Sequence, residues 1–187
     1  MRGREKKMQR TMKKVYLVFC EGETEAAYID FVRREYHSPI KIVSKTEGNK
    51  ISPQLISRHQ AELKNSKNDI IDTFLMYDLD VPSVNDKLRN CNAVWLCSNP
   101  CIELWFLLHS KNQTAAITTA KCVQELKKSG KEWGDYRKSM LTSQQTLTLK
   151  ANIATAIKRA KSLVPNNNPS STIYRLIETL CKFVFFA

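Results

Sequence analysis

Along the 187-residue chain, short unbroken apolar runs take turns with longer stretches in which apolar residues recur every three or four positions. Val15-Tyr16-Leu17-Val18-Phe19-Cys20 is continuous and of strand length, the pattern of a strand covered on both faces. It stops at Glu21-Gly22-Glu23-Thr24-Glu25. There Gly22 permits a tight turn, and Thr24 can cap a helix whose apolar positions are Tyr28, Phe31, Val32 and Tyr36. Ile40 to Val43 reads as a second strand, and Ser52-Pro53 opens a second helix that runs to about Lys64. Asp72 to Tyr77 is the third strand. After the short polar segment from Pro82 to Arg89, Asn92 to Cys97 is the fourth.

Asn99-Pro100 then marks a helix start. The helix that follows is apolar nearly all round as far as His109, which predicts that it is buried, and Glu103 is its one charged residue. Further helices are expected over about 114–128, over about 143–163 with Ile153, Ile157, Ala160 and Val164 on one face, and over about 171–185 with Ile173, Leu176, Ile177 and Leu180 on one face. Strands alternating with helices predict an α/β fold: a mostly parallel four-stranded sheet flanked by helices, with right-handed crossovers and a C-terminal helical extension. The expected divisions are a basic N-terminal arm over 1–14, the α/β domain over 15–110 and a helical region over 111–187 packed on it.

Composition fits a globular protein, at 42% hydrophobic and 26% charged. No apolar run reaches membrane-spanning length and no signal-peptide core follows the basic start, so a cytoplasmic protein is expected. The six cysteines sit mostly inside apolar stretches and read as reduced core residues, and the gaps among Cys91, Cys97, Cys101 and His109 match no tight zinc knuckle. Net charge is +12, unevenly spread: +6 over residues 1–14, −3 over 15–103 and +9 over 104–187. An acidic centre flanked by positive surface suits a protein that acts on a polyphosphate chain, although lysine-rich faces also serve solubility alone.

The acidic centre holds the candidate chemistry. Asp78 and Asp80 follow the third strand one residue apart, a spacing that throws both side chains to the same side. The carboxyl edge of an open α/β sheet is also where ligands bind. Glu21 leaves the first strand at that edge. Together the three would make an oxygen site for a hard cation such as Mg2+, which Mn2+ can replace. Glu23, Glu25 and Glu103 are candidates for a second ion or for acid–base work. A carboxylate on a buried helix needs a cation or hydrogen bonds to offset its desolvation, so Glu103 needs a partner. Acids after strands also serve as turn formers, and Glu23 and Glu25 also complement a helix dipole. Lys150, Lys158, Arg159 and Lys161, on the solvent side of the 143–163 helix, are the candidate nucleic-acid contacts.

An apolar strand, Glu-Gly-x-Thr-Glu, and two units later Asp-x-Asp resemble the Toprim domain of topoisomerases, primases and OLD-type nucleases. Ser98-Asn99-Pro100-Cys101-Ile102-Glu103-Leu104-Trp105-Phe106-Leu107-Leu108-His109 closely resembles the signature of RloB-like proteins, and Asn168-Pro169-Ser170-Ser171-Thr172-Ile173-Tyr174-Arg175-Leu176 is similar to that family's ending. The resemblance implies a Toprim-like (Rossmann-like) Mg2+-dependent nuclease of bacterial anti-phage or abortive-infection systems, often beside a partner ATPase. Glu21, Asp78 and Asp80 would be the catalytic and metal-binding acids, with Glu25 and Glu103 further acidic positions. The expected reaction is phosphodiester hydrolysis of DNA or RNA, including tRNA. The alternative is a catalytically silent nucleic-acid-binding or regulatory subunit of an ATPase-containing complex. Aspartyl phosphotransfer is disfavoured, because the Asp pair follows the third strand with no well-placed lysine. Phe183, Val184, Phe185 and Phe186 offer an apolar end for homo-oligomer formation.

Overall fold

The computed structural model describes residues 14–36, 41–64 and 69–184. Its chain order is β1 (Lys14–Cys20), α1 (Glu23–Tyr36), β2 (Lys41–Thr46), α2 (Pro53–Leu63), β3 (Ile70–Met76), α3 (Pro82–Arg89), β4 (Val94–Trp95), β5 (Ser98–Asn99), α4 (Ile102–Ser110), α5 (Thr119–Lys128), α6 (Ser143–Ala151), α7 (Ile153–Lys161), β6 (Ser170–Ser171) and α8 (Tyr174–Val184). The four-stranded sheet has the order β2-β1-β3-β4 with every pair parallel, the α/β architecture that alternating strands and helices predict. The basic arm over residues 1–13, Ile40, Phe185 and Phe186, and the side chains of Phe183 and Val184 lie outside the described residues. No described helix is long and apolar enough to cross a membrane.

Both faces of the sheet are covered, which is why its strands read as unbroken apolar runs. Tyr16, Val18, Cys20, Phe74 and Met76 point to one face, where α1, α4 and the C-terminal helices pack. Leu17, Phe19, Leu75 and Tyr77 point to the other, against Ile56 of α2 and Val84 and Leu88 of α3. Ser52 caps α2, its hydroxyl accepting from the Leu55 N–H at 3.2 Å with Pro53 at the first helical position. Ile102 to His109 are all buried, so α4 is a core helix around its whole circumference.

Several local expectations change. Thr24 lies inside α1 rather than capping it, and its hydroxyl accepts from the Ser139 N–H at 3.0 Å. Pro82 to Arg89 is a helix despite its polarity, with Val84 and Leu88 one turn apart facing the core. The fourth strand is cut to Val94–Trp95. The chain then bends, and Asn99 joins β5, which pairs antiparallel with β6, so α4 starts at Ile102 instead of at Asn99-Pro100. The 143–163 helix is two helices meeting at Asn152, and Val164 is 63% exposed rather than on the buried face.

Candidate functional site

Strands β1 and β3 lie side by side and end level, with Cys20 opposite Met76, so the residues after both leave the same edge. The Glu21 N–H donates to the Met76 carbonyl at 3.0 Å, and the Asp78 N–H donates to Glu21 Oε2 at 2.9 Å. Glu21 is thereby tied to the backbone of Asp78 across the strand ends. Asp78 bridges to Ser98 and is held from the next residue as well, where the Leu79 N–H donates to the Ser98 carbonyl at 2.9 Å. Asp78 as a residue is half-buried, but its Oδ1 is sealed from solvent with no hydrogen-bond partner among the described residues.

Two helix N-termini reach the same place. Glu25, 5% exposed, stands in the first turn of α1, and its Oε2 accepts from the Gly22 N–H at 3.0 Å. A Cβ at Gly22 would come within 3.3 Å of that oxygen, so the turn favours glycine by close approach. Glu103, 0% exposed, is the second residue of α4. The Tyr136 hydroxyl donates to its Oε1 at 3.0 Å and Lys138 Nζ lies 3.7 Å from the same atom, while Oε2 is buried without a partner among the described residues. The partial positive charge of both helix ends lowers the cost of holding these acids together.

The charges act on one another. The Asp78 carboxyl is pushed up to about 9, first by burial and then by Glu25, Glu21, Glu103 and Asp80. Burial also raises Glu21, which the Asp78 N–H pulls back, Asp80 raises and Lys138 lowers. Glu25 is raised by burial and, less strongly, by Glu21 and Glu103, against backbone hydrogen bonds that lower it. Partial burial pulls the Lys138 ammonium down, but Glu103, Asp78 and Glu25 outweigh this and hold it above its ordinary value. At neutral pH Asp78 therefore keeps a proton that a cation could displace.

Glu21, Glu25, Asp78 and Glu103 thus share one electrostatic neighbourhood. Asp80 acts on it from outside: the residue is exposed, and its Oδ2 accepts from the Thr119 hydroxyl, at the start of α5, at 3.1 Å. Glu23 is exposed and takes no part. The donor set is all oxygen, and two of its oxygens are buried and unsatisfied, which fits a hard divalent cation. Among the described residues no three acid, histidine or cysteine side chains are drawn up as a ready-made ligand group, so the acids would have to close in to bind one.

The basic residues of the 143–163 region are engaged elsewhere. Lys150 lies 2.5 Å from Glu35, Lys161 pairs with Glu178, and Arg159 Nη1 donates to the Leu108 carbonyl at 2.7 Å, at the end of α4 opposite Glu103. Lys158 is exposed. Tyr136 and Lys138 are the site residues that pattern does not reveal. They lie between α5 and α6 in a segment without helical or strand period, and only the fold brings them to Glu103.

The acids, the strands that position them and the C-terminal elements that cover α4 all fall within residues 16–180, the span matched by the model of the RloB-like protein family. Among curated proteins and among solved structures, nothing matches the chain. With nearly all of its length inside the family model, the chain belongs to the RloB-like protein family.

Proposed function

We propose that the chain is a divalent-metal-dependent nuclease that hydrolyses phosphodiester bonds of DNA or RNA, with Glu21 and Asp78 as the central acids, Glu25 and Glu103 beside them, and Asp80 at the exposed edge of the site. The observation that carries this is the convergence of buried carboxylates at one strand edge with Asp78 Oδ1 and Glu103 Oε2 unsatisfied. Those oxygens, with Glu21, would hold Mg2+ or Mn2+. A bound ion of this kind polarises a phosphoryl oxygen and lowers the pKa of its water. The protein's own groups supply the rest. The Asp78 N–H fixes the Glu21 carboxylate, the Tyr136 hydroxyl fixes Glu103, and Lys138, with 60% of its side chain exposed, offers a cation to an incoming phosphate. Membership of the family supports placing this activity in a bacterial anti-phage or abortive-infection system with a partner ATPase.

The test is to incubate the purified chain with a panel of DNA, RNA and tRNA under Mg2+, Mn2+ and EDTA, beside a variant carrying Asp78→Ala with Asp80→Ala. Metal-dependent cleavage lost in the variant supports the reading, and cleavage unchanged by the double replacement ends it. One observation favours a silent binding subunit instead: Lys138 already places positive charge against Glu103. Nucleic-acid binding that survives EDTA, with no cleavage under either metal, would select that reading.

A further inference from the structure

Beside Leu79 lies a cavity of about 390 Å3 lined by Leu79, Asn85, Arg89, Trp95, Asn99 and Asn166. This is within the range of roughly 300–1,000 Å3 usual for small-molecule sites. Its lining residues offer three carboxamides, one half-buried indole, one aliphatic side chain and the guanidinium of Arg89, whose Nη1 pairs with Asp86 Oδ1 at 2.5 Å and whose other N–H groups remain for a phosphate. Two carboxamides are fixed: Asn85 Nδ2 donates to the Leu79 carbonyl at 3.2 Å, and Asn99 Nδ2 donates to the Asn166 carbonyl at 3.0 Å. Asn166 itself is held at φ 67°, in the left-handed region. Fixing Asn85 in this way leaves its Oδ1 buried with no partner among the described residues, an acceptor without a donor. Leu79 joins the cavity to the acids, since its Cα is about 3.8 Å along the chain from those of both Asp78 and Asp80.

We propose that this cavity is a nucleobase pocket that takes one unpaired base of the nucleic acid next to the acidic site. The indole of Trp95 provides a stacking face, the exposed Asn166 carboxamide meets the polar edge of a base, and Arg89 meets the adjoining phosphate. A base stacked inside a duplex cannot enter a concave pocket, so the strand bound here is single or carries an extruded nucleotide. The pocket's placement beside the scissile phosphate rests on the nuclease reading; base binding does not.

The chain reports its own occupancy. Of its three tryptophans, Trp105 and Trp133 are fully buried, so quenching by added ligand reads Trp95. The whole chain is titrated in EDTA with a short single strand, the matching duplex and an abasic strand of equal length, reading tryptophan quenching and the anisotropy of labelled strand. The single strand should quench, the duplex and the abasic strand should quench far less, and Trp95→Ala should weaken single-strand binding by roughly tenfold. If Trp95→Ala loses its native circular dichroism, Arg89→Ala at the surface decides, with an expected loss of several-fold. Equal quenching by all three strands, no quenching, or unchanged affinity in the folded variants overturns the proposal. A chain that never cleaves but shows base-dependent quenching keeps the pocket and loses the nuclease; one that cleaves without such quenching does the reverse.

Discussion

The acidic cluster and the basic stripe of this chain are both collections of like charge, yet the fold treats them differently. Glu21, Glu25, Asp78 and Glu103 come from two helices and two strand ends, are drawn into one field, and keep two oxygens without a partner among the described residues. Lys150, Arg159 and Lys161 sit close in sequence and disperse, each to its own partner: Glu35, the Leu108 carbonyl and Glu178. Charge gathered from a distance and left uncompensated is a standing cost to stability, so the fold holds it in place with hydrogen bonds and helix ends. Charge paired with a neighbour at the surface costs little and contributes little. On the proposed reading the chemistry lies with the acids, while most of the bases in the stripe are held by local partners.

The sharpest way to break that comparison is Asp78→Asn, which removes a central oxygen without changing size. Metal-dependent cleavage should fall by about a hundredfold or more, a loss of the order seen when a preorganised electrostatic group is removed. The same variant should melt a few degrees higher without metal, because crowding is relieved. A variant that loses stability together with activity would mean the carboxyl is structural. Metal itself should act in the opposite sense: Mn2+ should raise the melting temperature of the wild-type chain, EDTA should reverse the rise, and Asp78→Asn should abolish it.

Acid–base behaviour separates the cluster from the core. With the Asp78 carboxyl raised from an ordinary 3.8 to about 9, the folded chain keeps a proton that the unfolded chain has lost, so metal-free stability declines as pH rises between those values. His109 has the opposite sign. Burial depresses it from 6.5 to about 4, so its contribution is present above 6.5 and is lost as pH falls toward 4. Melting followed against pH should show Asp78→Asn removing a decline that runs from pH 3.8 to about 9, and His109→Gln removing an opposing rise confined to about pH 4 to 6.5; a change above pH 6.5 in His109→Gln, or none there in Asp78→Asn, would refute the assignment. The smallest effects belong to the stripe. Lys150→Ala and Lys161→Ala should each move the melting temperature by less than about 2 °C and leave cleavage within about twofold, and a larger loss of cleavage would restore the stripe as a phosphate track.

How much of this could be read from residue order depends on the length scale of each signal. β1 and β3 were legible because burial on both faces writes an unbroken apolar run, and Glu21 and Asp78 because they end those runs. Glu103 stood out as a lone charge on an apolar helix, and it is fully buried. The bend after Trp95 was not legible. Ser98-Asn99 pairs with Ser170-Ser171, four small polar residues with no apolar period, and their register is set by Thr172, whose hydroxyl takes the Cys97 N–H at 2.9 Å. Asn152 interrupts a long amphipathic pattern that periodicity alone runs together as one helix. Tyr136 and Lys138 carry no local mark, because their meaning lies in Glu103 on another element.

The clasp at Thr172 also bears on how the protein is made. Its hydroxyl donates to the Trp95 carbonyl at 3.0 Å and its N–H to the Cys97 carbonyl at 2.9 Å, so the strand edge leading into α4 is sewn down by a residue near the end of the described chain. In a chain growing from its N-terminus this clasp can close only once Thr172 has been made, so until then the strand edge beside the acid-bearing helix lacks these hydrogen bonds.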